Sequence, residues 1–277
     1  MTAAPTLQMN DGNRIPQLGF GVFQIDPDET TQPVRIALDV GYRLIDTAQG
    51  YRNEEAVGEA LRNSGIPIED VFVTTKLTNS EQGRDKTLAA FDDSMRKLRL
   101  DVLDLFLIHW PVPALNLYVE TWKALDELRR EGRVRSIGVS NFATEHLQRL
   151  LDETGVVPTV NQVELHPRFP QEELRAFHAQ HGILTEAWAP LGQGKGLLAE
   201  PVLTDVAESK NKSPAQVVLR WHIQLGNIVI PKSVTPSRIR ENFDVFGFSL
   251  DDAEMQQISS LATGERIGPD PRTFNAH

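Results

Sequence analysis

The sequence contains no cysteine among its 277 residues. This absence excludes disulfide bonds, thiolate metal sites and cysteine nucleophiles together. Any redox chemistry must therefore use other side chains or a bound cofactor. The absence is also compatible with a cytoplasmic protein, which is the location that we expect.

A long hydrophobic run is lacking as well. No stretch of about 18 consecutive apolar residues is present, so the sequence predicts no membrane span. The first residues, MTAAPTLQMNDGNRIPQLG, do not combine a charged region with an apolar core, so we expect no signal peptide.

Basic residues are scarce relative to acidic ones. Lysine and arginine number 28 and aspartate and glutamate 38, which gives a net charge of −10. Because phosphates dominate binding to nucleic acids, a protein this acidic is poorly suited to such a partner. An anionic ligand would need a local cluster of basic side chains.

Short apolar runs, typical of parallel strands covered on both faces, alternate with helical patterns along the chain. The predicted strands are Arg43–Asp46, Val71–Lys76, Leu103–His109, Ser136–Val139, Val160–Glu164, Ile183–Trp188 and Asn227–Ile230, with a less regular eighth near Val245–Phe248. Helical periodicity marks the segments DETTQPVRIALDVG, KTLAAFDDSMRKLRL, YVETWKALDELRREGR, TEHLQRLLDETG, QEELRAFHAQHG and SPAQVVLRWHIQLG. About eight strand–helix units favour a closed (β/α)8 barrel over an open doubly wound sheet.

Turn and cap residues refine this prediction. Gly41 suits a helix end, and Ser213 and Thr235, each followed by proline, suit helix starts. Asp11-Gly12 suits the turn of an N-terminal β-hairpin that closes the bottom of the barrel. No linker divides the chain, so residues 1–277 are predicted to form a single domain.

Polar residues stand where the predicted strands end, which is where barrel enzymes place their active sites. The first three strands end at Asp46, Lys76 and His109, and Tyr51 follows in the first loop. Taken singly, each residue fits an ordinary turn, a solvated charge or a packed histidine. Together they favour one site, since unpaired charges at one barrel mouth would be costly.

The four groups are chemically coherent. A free tyrosine has a pKa of about 10, and a nearby ammonium acts to lower it. Lys76 could supply the ammonium, Asp46 could hold Lys76 in place, and His109 could bind a carbonyl oxygen beside the Tyr51 hydroxyl. Such a site protonates an oxygen that gains negative charge, and a bound cofactor must supply the electrons.

A basic cluster is present near a predicted helix start. Lys232, Ser233 and Arg238 surround Thr235-Pro236, and helix starts with basic neighbours bind phosphate. On its own the cluster fits a solvated turn equally well. The GQGKG loop at 192–196 fits a flexible turn better than a nucleotide site when it is taken alone.

Other polar residues indicate no further site. His178 and His181 lie three apart without a third ligand, so no metal site is predicted. His166 is expected to fix a loop, and Glu164 is expected to be a structural or supporting carboxylate.

The sequence resembles the aldo-keto reductases from about residue 7 to residue 260. The segments that carry the resemblance are GYRLIDTAQGYRNEEAVGEAL, VFVTTKL, DLFLIHWP, SIGVSNF, VNQVELHP, AWAPLGQG and IPKSVTPSRIRENFDVF. Any one is a weak motif, but seven in the same order and spacing are specific. The short loops are most similar to bacterial 2,5-diketo-D-gluconate reductase-like members.

The resemblance implies reduction of aldehydes or ketones by hydride transfer from NADPH. It gives Tyr51 the general-acid position, Lys76 and Asp46 the supporting pair, and His109 the substrate-orienting position. Cofactor contacts fall on Gly21, Val22, Asp46, Ser140, Asn141, Gln162, Trp188, Leu191, Gly192, Gln193, Lys232, Ser233, Val234, Arg238, Glu241 and Asn242. Substrate contacts fall on Phe23, Trp110, His109 and Tyr51.

The sequence departs from the resemblance near the substrate. Many relatives have a tryptophan where this chain has Thr78, so one aromatic pocket wall is expected to be missing. We expect a monomer that takes a small carbonyl substrate. Two alternatives remain open: a cofactor-binding regulatory subunit with little turnover, and an isomerase or aldolase with Lys76 as a Schiff base.

Overall fold

Eight parallel strands form the centre of the protein in a computed structural model that describes residues 4–276. In sheet order and chain order they are β3 Phe20–Gly21, β4 Leu44–Asp46, β5 Phe72–Leu77, β6 Leu103–Ile108, β7 Val134–Ser140, β8 Val160–Glu164, β9 Leu184–Trp188 and β10 Ile228–Val229. The backbone N–H of Gly19 donates to the Val229 carbonyl (2.8 Å), and the Val229 N–H donates to the Gln17 carbonyl (3.0 Å). These bonds join the first and last strands, which confirms the predicted (β/α)8 barrel.

The prediction of the eighth strand was wrong. Residues 245–248 form an irregular segment after a helix, in which Val245 is fully buried. The strand that closes the barrel is the two-residue β3 at Phe20–Gly21, which pairs with β4. Such a short strand, half of it glycine, has little apolar pattern of its own, and its position depends on the backbone bonds of its neighbours.

Helices surround the barrel. They are α1 Pro27–Val40, α2 Glu54–Arg62, α3 Arg84–Leu98, α4 Tyr118–Arg130, α5 Thr144–Thr154, α6 Glu172–His181, α7 Pro201–Lys210, α8 Pro214–Gln224, α9 Pro236–Phe243 and α10 Asp252–Ser259. Gly41 ends α1 with φ of 123°, as predicted. The Ser213 hydroxyl caps α8, whereas Thr235 precedes α9 without a side-chain cap bond.

An antiparallel hairpin lies at the end of the barrel where the strands begin. Its strands are β1 Thr6–Gln8 and β2 Arg14–Pro16. The Asn10 side chain donates to the carbonyl of Pro158, just ahead of β8 (3.0 Å). Met9 and Ile15 pack with residues inside the barrel, including Leu44. The hairpin therefore closes this end with an apolar plug, as predicted.

The larger part of the apolar core lies between the strands and the helices. Side chains inside the barrel change from apolar near the hairpin to polar near the strand ends, as Leu44 and Asp46 of β4 illustrate. The polar groups thus gather at the end opposite the plug. Among residues 4–276, no helix is both long and apolar enough to span a bilayer.

Candidate active site

One cavity of about 620 Å³ opens where the barrel strands end. Its volume lies within the range of small-ligand and cofactor sites, roughly 300–1,000 Å³. The predicted site residues that line it are Gly21, Phe23, Asp46, Tyr51, His109, Trp110, Ser140, Asn141, Gln162, Trp188, Leu191, Gln193 and Lys232. Residues from seven of the eight barrel strands or the loops that follow them, all except β5, thus meet around one space.

A buried ion pair lies beneath this cavity. The Lys76 ammonium contacts the Asp46 carboxylate at 2.6 Å, and both side chains are almost completely buried. Lys76 also donates to the Thr47 carbonyl (2.9 Å) and to the Tyr51 hydroxyl (3.3 Å). Gln162 donates to the second oxygen of Asp46 (2.8 Å). Every charge of the pair is therefore compensated inside the protein.

Tyr51 lies in a 3₁₀ turn that directly follows β4. Gln49, in the same turn, accepts a bond from the Thr78 backbone N–H (2.9 Å) and donates to the Ala90 carbonyl (2.7 Å). These bonds tie the turn to the end of β5 and to α3. Gln49 therefore fixes the position of Tyr51 relative to Lys76, a role that its sequence context did not reveal.

The pKa of the Tyr51 phenol is raised. Burial is the largest cause, the Lys76 charge acts to lower the pKa, and the Asp46 charge acts to raise it. Lys76 thus acts in the predicted direction, but in this structure burial outweighs it. The Lys76 pKa is also raised, because Asp46 and Tyr51 together outweigh its burial. Lys76 is therefore a permanent ammonium, and Tyr51 is a protonated phenol at neutral pH.

His109 follows β6 and faces Tyr51, with 5.7 Å between the ring centroids. Burial and then the Lys76 charge lower the pKa of His109 to about 3. The imidazole is therefore neutral and keeps one N–H to donate. Phe23 packs against Tyr51, with 5.0 Å between the ring centroids, and Phe23 and Trp110 both line the cavity. Their role as substrate contacts stays a prediction.

Polar side chains from β7 and β8 form a connected network with Trp188. Asn141 donates to the His109 carbonyl (3.0 Å) and accepts from the Trp188 indole N–H (2.7 Å). The Ser140 hydroxyl donates to the Gln162 carbonyl (2.9 Å). Asn141 has φ of 61°, a left-handed conformation that asparagine tolerates. The network fixes the orientation of the indole, whose ring is open to the cavity.

Two backbone segments border the cavity. The loop after β9 carries Gly192 (φ 71°) and Gln193 (φ 48°), and a Cβ at Gly192 would meet Leu197 at 2.9 Å. Across the cavity, a Cβ on Gly21 would come within 3.0 Å of the Ile230 carbonyl oxygen. The neighbouring Val22 is fully buried in the outer core and touches the site only through its backbone bond to Asp46.

The basic cluster lies beside the start of α9. Lys232 lines the cavity, and Arg238 is exposed in the first turn of the helix. Ser233 and Asn242 are buried, Val234 is half exposed, and Glu241 accepts a hydrogen bond from Ser213 at the start of α8. The structure therefore puts two basic side chains near a helix start, whereas Glu241 has a structural partner.

The C-terminal segment supplies site residues that the sequence did not indicate. Glu164 accepts hydrogen bonds from the backbone N–H groups of Ile267 (2.5 Å) and Gly268 (2.8 Å) and from His166 (3.1 Å). Phe274 packs on Trp110, with 4.4 Å between the ring centroids. The unpredicted residues that line the cavity are Gln24, Ala189, Pro190, Ile230, Pro231, Gly268 and Pro269. Ala189, Pro190, Ile230 and Pro231 lie in segments that carry the family resemblance, whereas Gly268-Pro269 gave only the signal of a turn.

The two neighbouring histidines of α6 have separate partners. His178 is buried and bonds to Thr185 (2.8 Å) and Asn161 (2.9 Å), and His181 bonds to the Phe177 carbonyl (2.9 Å). Both imidazoles therefore have structural roles in this part of the fold.

The family model described as the aldo/keto reductase family matches residues 17–263. This match covers all eight barrel strands and every residue of the buried pair, the turn and the basic cluster. The chain belongs to the aldo/keto reductase family. The predicted family is thereby confirmed.

Curated relatives match over nearly the whole chain. The chain is 61% identical over 272 residues to an aldo-keto reductase of Mycolicibacterium smegmatis, covering 98% of both sequences. It is 53% identical over 274 residues to the methylglyoxal reductase DkgA of Escherichia coli, covering 98% of this chain and 99% of the relative.

Solved structures of similar proteins agree with the barrel. A Gox0644 variant in complex with NADPH superposes with a TM-score of 0.95 at 53% identity, covering 99% of each chain. A Bombyx mori aldo-keto reductase in complex with NADP superposes with a TM-score of 0.90 at 37% identity, covering 97% of this chain and 96% of that one.

Proposed function

We propose that this protein is an NADPH-dependent reductase that converts small aldehydes and ketones to alcohols, with Tyr51 as the proton donor. The observation that carries the proposal is the Lys76 ammonium between Asp46 and the Tyr51 hydroxyl, under a cavity that Tyr51 and His109 both line. The family membership supports the reaction class, and the methylglyoxal reductase DkgA relative supports small carbonyl substrates.

The residues around the cavity fit the cofactor. The indole of Trp188 offers a flat surface, and the side chains of Ser140, Asn141 and Gln162 offer polar groups for a carboxamide. Lys232 and Arg238, beside the start of α9, suit phosphate groups, including one on a ribose. When bound, NADPH supplies the hydride that reduces the carbonyl carbon.

The chain's own residues then handle the carbonyl oxygen. The neutral imidazole of His109 donates its N–H to that oxygen and orients the carbonyl in the cavity. As the oxygen gains negative charge, Tyr51 transfers its phenolic proton to it, because an alkoxide is far more basic than a phenolate. Lys76 stabilises the resulting phenolate, and Asp46 keeps Lys76 charged and in place.

The geometry disfavours Lys76 as a Schiff-base nucleophile. Its side chain has no exposed surface, and its three ammonium hydrogens are committed to Asp46, Thr47 and Tyr51. A Schiff-base lysine must be unprotonated and must reach the substrate. A regulatory subunit with little turnover remains the competing function, and a measured rate separates it from a reductase.

The first test is turnover. We expect the purified protein to oxidise NADPH, followed by absorbance, with methylglyoxal and other small aldehydes or dicarbonyls. Tyr51→Phe should reduce kcat by at least about 100-fold, the usual contribution of a general acid, with little change in the Kd for NADPH. The control is Tyr118→Phe, because Tyr118 starts α4 away from the cavity and should not affect the rate.

Two outcomes would contradict the proposal. Wild-type turnover in Tyr51→Phe would mean that another group donates the proton. NADPH binding without measurable turnover across the carbonyl panel would favour the regulatory subunit.

A further inference from the structure

A second carboxyl group lies inside the barrel close to the buried pair. Glu186 is in β9 and has no exposed surface. Leu184 and Trp188, its alternate neighbours on the strand, pack against the cluster inside the barrel, so Glu186 also points inward. Its register partners are Gln162 on β8 and Ile228 on β10.

Glu186 differs from Asp46 in its hydrogen bonds. Both carboxyl oxygens of Glu186 are buried without a hydrogen-bond partner. Asp46 is bonded by Lys76 and by Gln162. An ionised carboxylate without donors in such a place would be very costly, whereas a neutral acid is tolerated. Of the two carboxyl groups near Lys76, Asp46 therefore carries the charge and Glu186 carries a proton.

The surroundings of Glu186 also favour its protonated form. Burial and then the negative charge of Asp46 raise the pKa of Glu186 to about 8. The nearby amide of Gln162, whose N–H donates to Asp46, and the charge of Lys76 act less strongly to lower it. The titratable groups that face it are Asp46 from β4, Lys76 from β5 and Tyr51 from the turn after β4. Its neighbouring strands present the amide of Gln162 and the apolar side chain of Ile228.

We propose that Glu186 is a positioning residue of the carbonyl reduction: as a neutral acid it leaves Asp46 and Lys76 as a balanced pair, and so keeps Tyr51 an effective proton donor. This inference rests on the function proposed above. A carboxylate at residue 186 would add a second negative charge beside one ammonium. That charge would act to raise the pKa of Tyr51 and would weaken the stabilisation of its phenolate.

The pH dependence of the rate follows from this arrangement. Below a pH of about 8 Glu186 is neutral and the reduction rate is maximal, and above that value the carboxylate forms and the rate falls. In wild type we expect kcat for carbonyl reduction to fall about three- to ten-fold between pH 7 and pH 9. Glu186→Gln, which imitates the neutral acid, should retain most of its rate at pH 9.

Matched variants separate this role from simple packing. Glu186→Leu, which is uncharged and of similar volume, should also show no fall in kcat between pH 7 and pH 9. This variant replaces Glu186→Gln in the test if Glu186→Gln does not fold. Glu54→Gln is the control, because Glu54 is equally buried but bonds to Thr75 on the outside of β5. That control should keep the wild-type pH profile.

Infrared difference spectroscopy on the protein without cofactor tests the proton directly. The wild-type minus Glu186→Gln spectrum should show a neutral carboxyl band at pH 6 that disappears with a midpoint near a pH of about 8. The proposal is overturned if this band is absent at pH 6, or if both neutral variants keep the wild-type alkaline fall. The infrared result does not depend on turnover, so it distinguishes failure of this inference from failure of the proposed function.

Discussion

At the scale of single residues, the site depends on a division of charge among buried groups. Lys76 and Asp46 are charged and bonded, His109 and Glu186 are neutral, and Tyr51 keeps its phenolic proton, which the proposed reaction uses. Since Lys76 has no hydrogen left for the substrate, it acts only through Tyr51. In the proposed reaction, the phenol and the imidazole are therefore the groups that contact the substrate oxygen.

The dependence of kcat/KM on acidic pH tests whether His109 is neutral. Because its pKa is lowered to about 3, His109 stays neutral until the pH falls towards that value. We expect kcat/KM to change by less than about two-fold between pH 5 and pH 7, without the inflection near pH 6.5 of an ordinary histidine. Such an inflection, abolished in His109→Asn, would show that the imidazole titrates normally and is solvated in the cavity.

The four central residues could be predicted because each stands at a strand end and their chemistries are complementary. Gln49 could not be assigned a role, since its partners lie in β5 and α3 at distant positions in the chain. The sequence also could not predict whether the pKa of Tyr51 is raised or lowered. It depends on how deeply the phenol is buried, which only the packed structure shows.

At the scale of elements, α9 brings the basic cluster to the cavity. Pro236 begins the helix, so its first backbone N–H groups point away from the helix body beside Lys232 and Arg238. The negative net charge of the whole chain makes this local positive charge unusual. The element therefore favours a ligand with an additional phosphate.

The double variant Lys232→Ala with Arg238→Ala tests cofactor choice. Loss of these two cations should raise the Kd for NADPH at least about ten-fold and leave the Kd for NADH nearly unchanged. Fluorescence titration with each cofactor measures both constants. Arg240→Ala, an exposed basic residue on the same helix, is the control and should alter neither. Equal weakening of both cofactors would mean that the cluster does not bind the additional phosphate.

The C-terminal segment shows the limit of prediction at this scale. Its residues match the family weakly and have no helical or strand period, so their position could not be predicted. In the structure they are held by long-range contacts, from Glu164 to Ile267 and Gly268 and from Trp110 to Phe274. The backbone N–H of Thr78 donates to Gln49, and the tail brings an aromatic ring to Trp110. The missing aromatic wall at Thr78 stays a prediction.

At the scale of the whole molecule, the barrel has two different ends. The hairpin fills one end with apolar side chains, and the strand termini open the other end to ligands. Seven of the eight barrel strands could be predicted from their apolar runs, with bounds correct to within two residues. The eighth, β3, could not, because closure of a barrel is a property of all strands together.

The plug is expected to matter for stability rather than for chemistry. Ile15 is fully buried, so Ile15→Ala should lower the free energy of unfolding by about 2–4 kcal/mol, measured by urea denaturation. The control is Ile68→Ala, since Ile68 is 46% exposed. That change should stay within about 0.5 kcal/mol. Equal effects of the two substitutions would mean that the hairpin contributes little to the stability of the barrel.

The placement of the two ends of the chain has a practical consequence for immobilisation. Thr6 lies in the hairpin that covers the closed end, whereas Asn275 and Ala276 are bonded to Ala114 and Asn79 beside the open end. A purification tag or surface linker attached ahead of Thr6 leaves the cavity facing the solution. The same attachment after Ala276 would pull on the segment that holds Gly268 and Phe274 over the site, and would compete with the ligand for access.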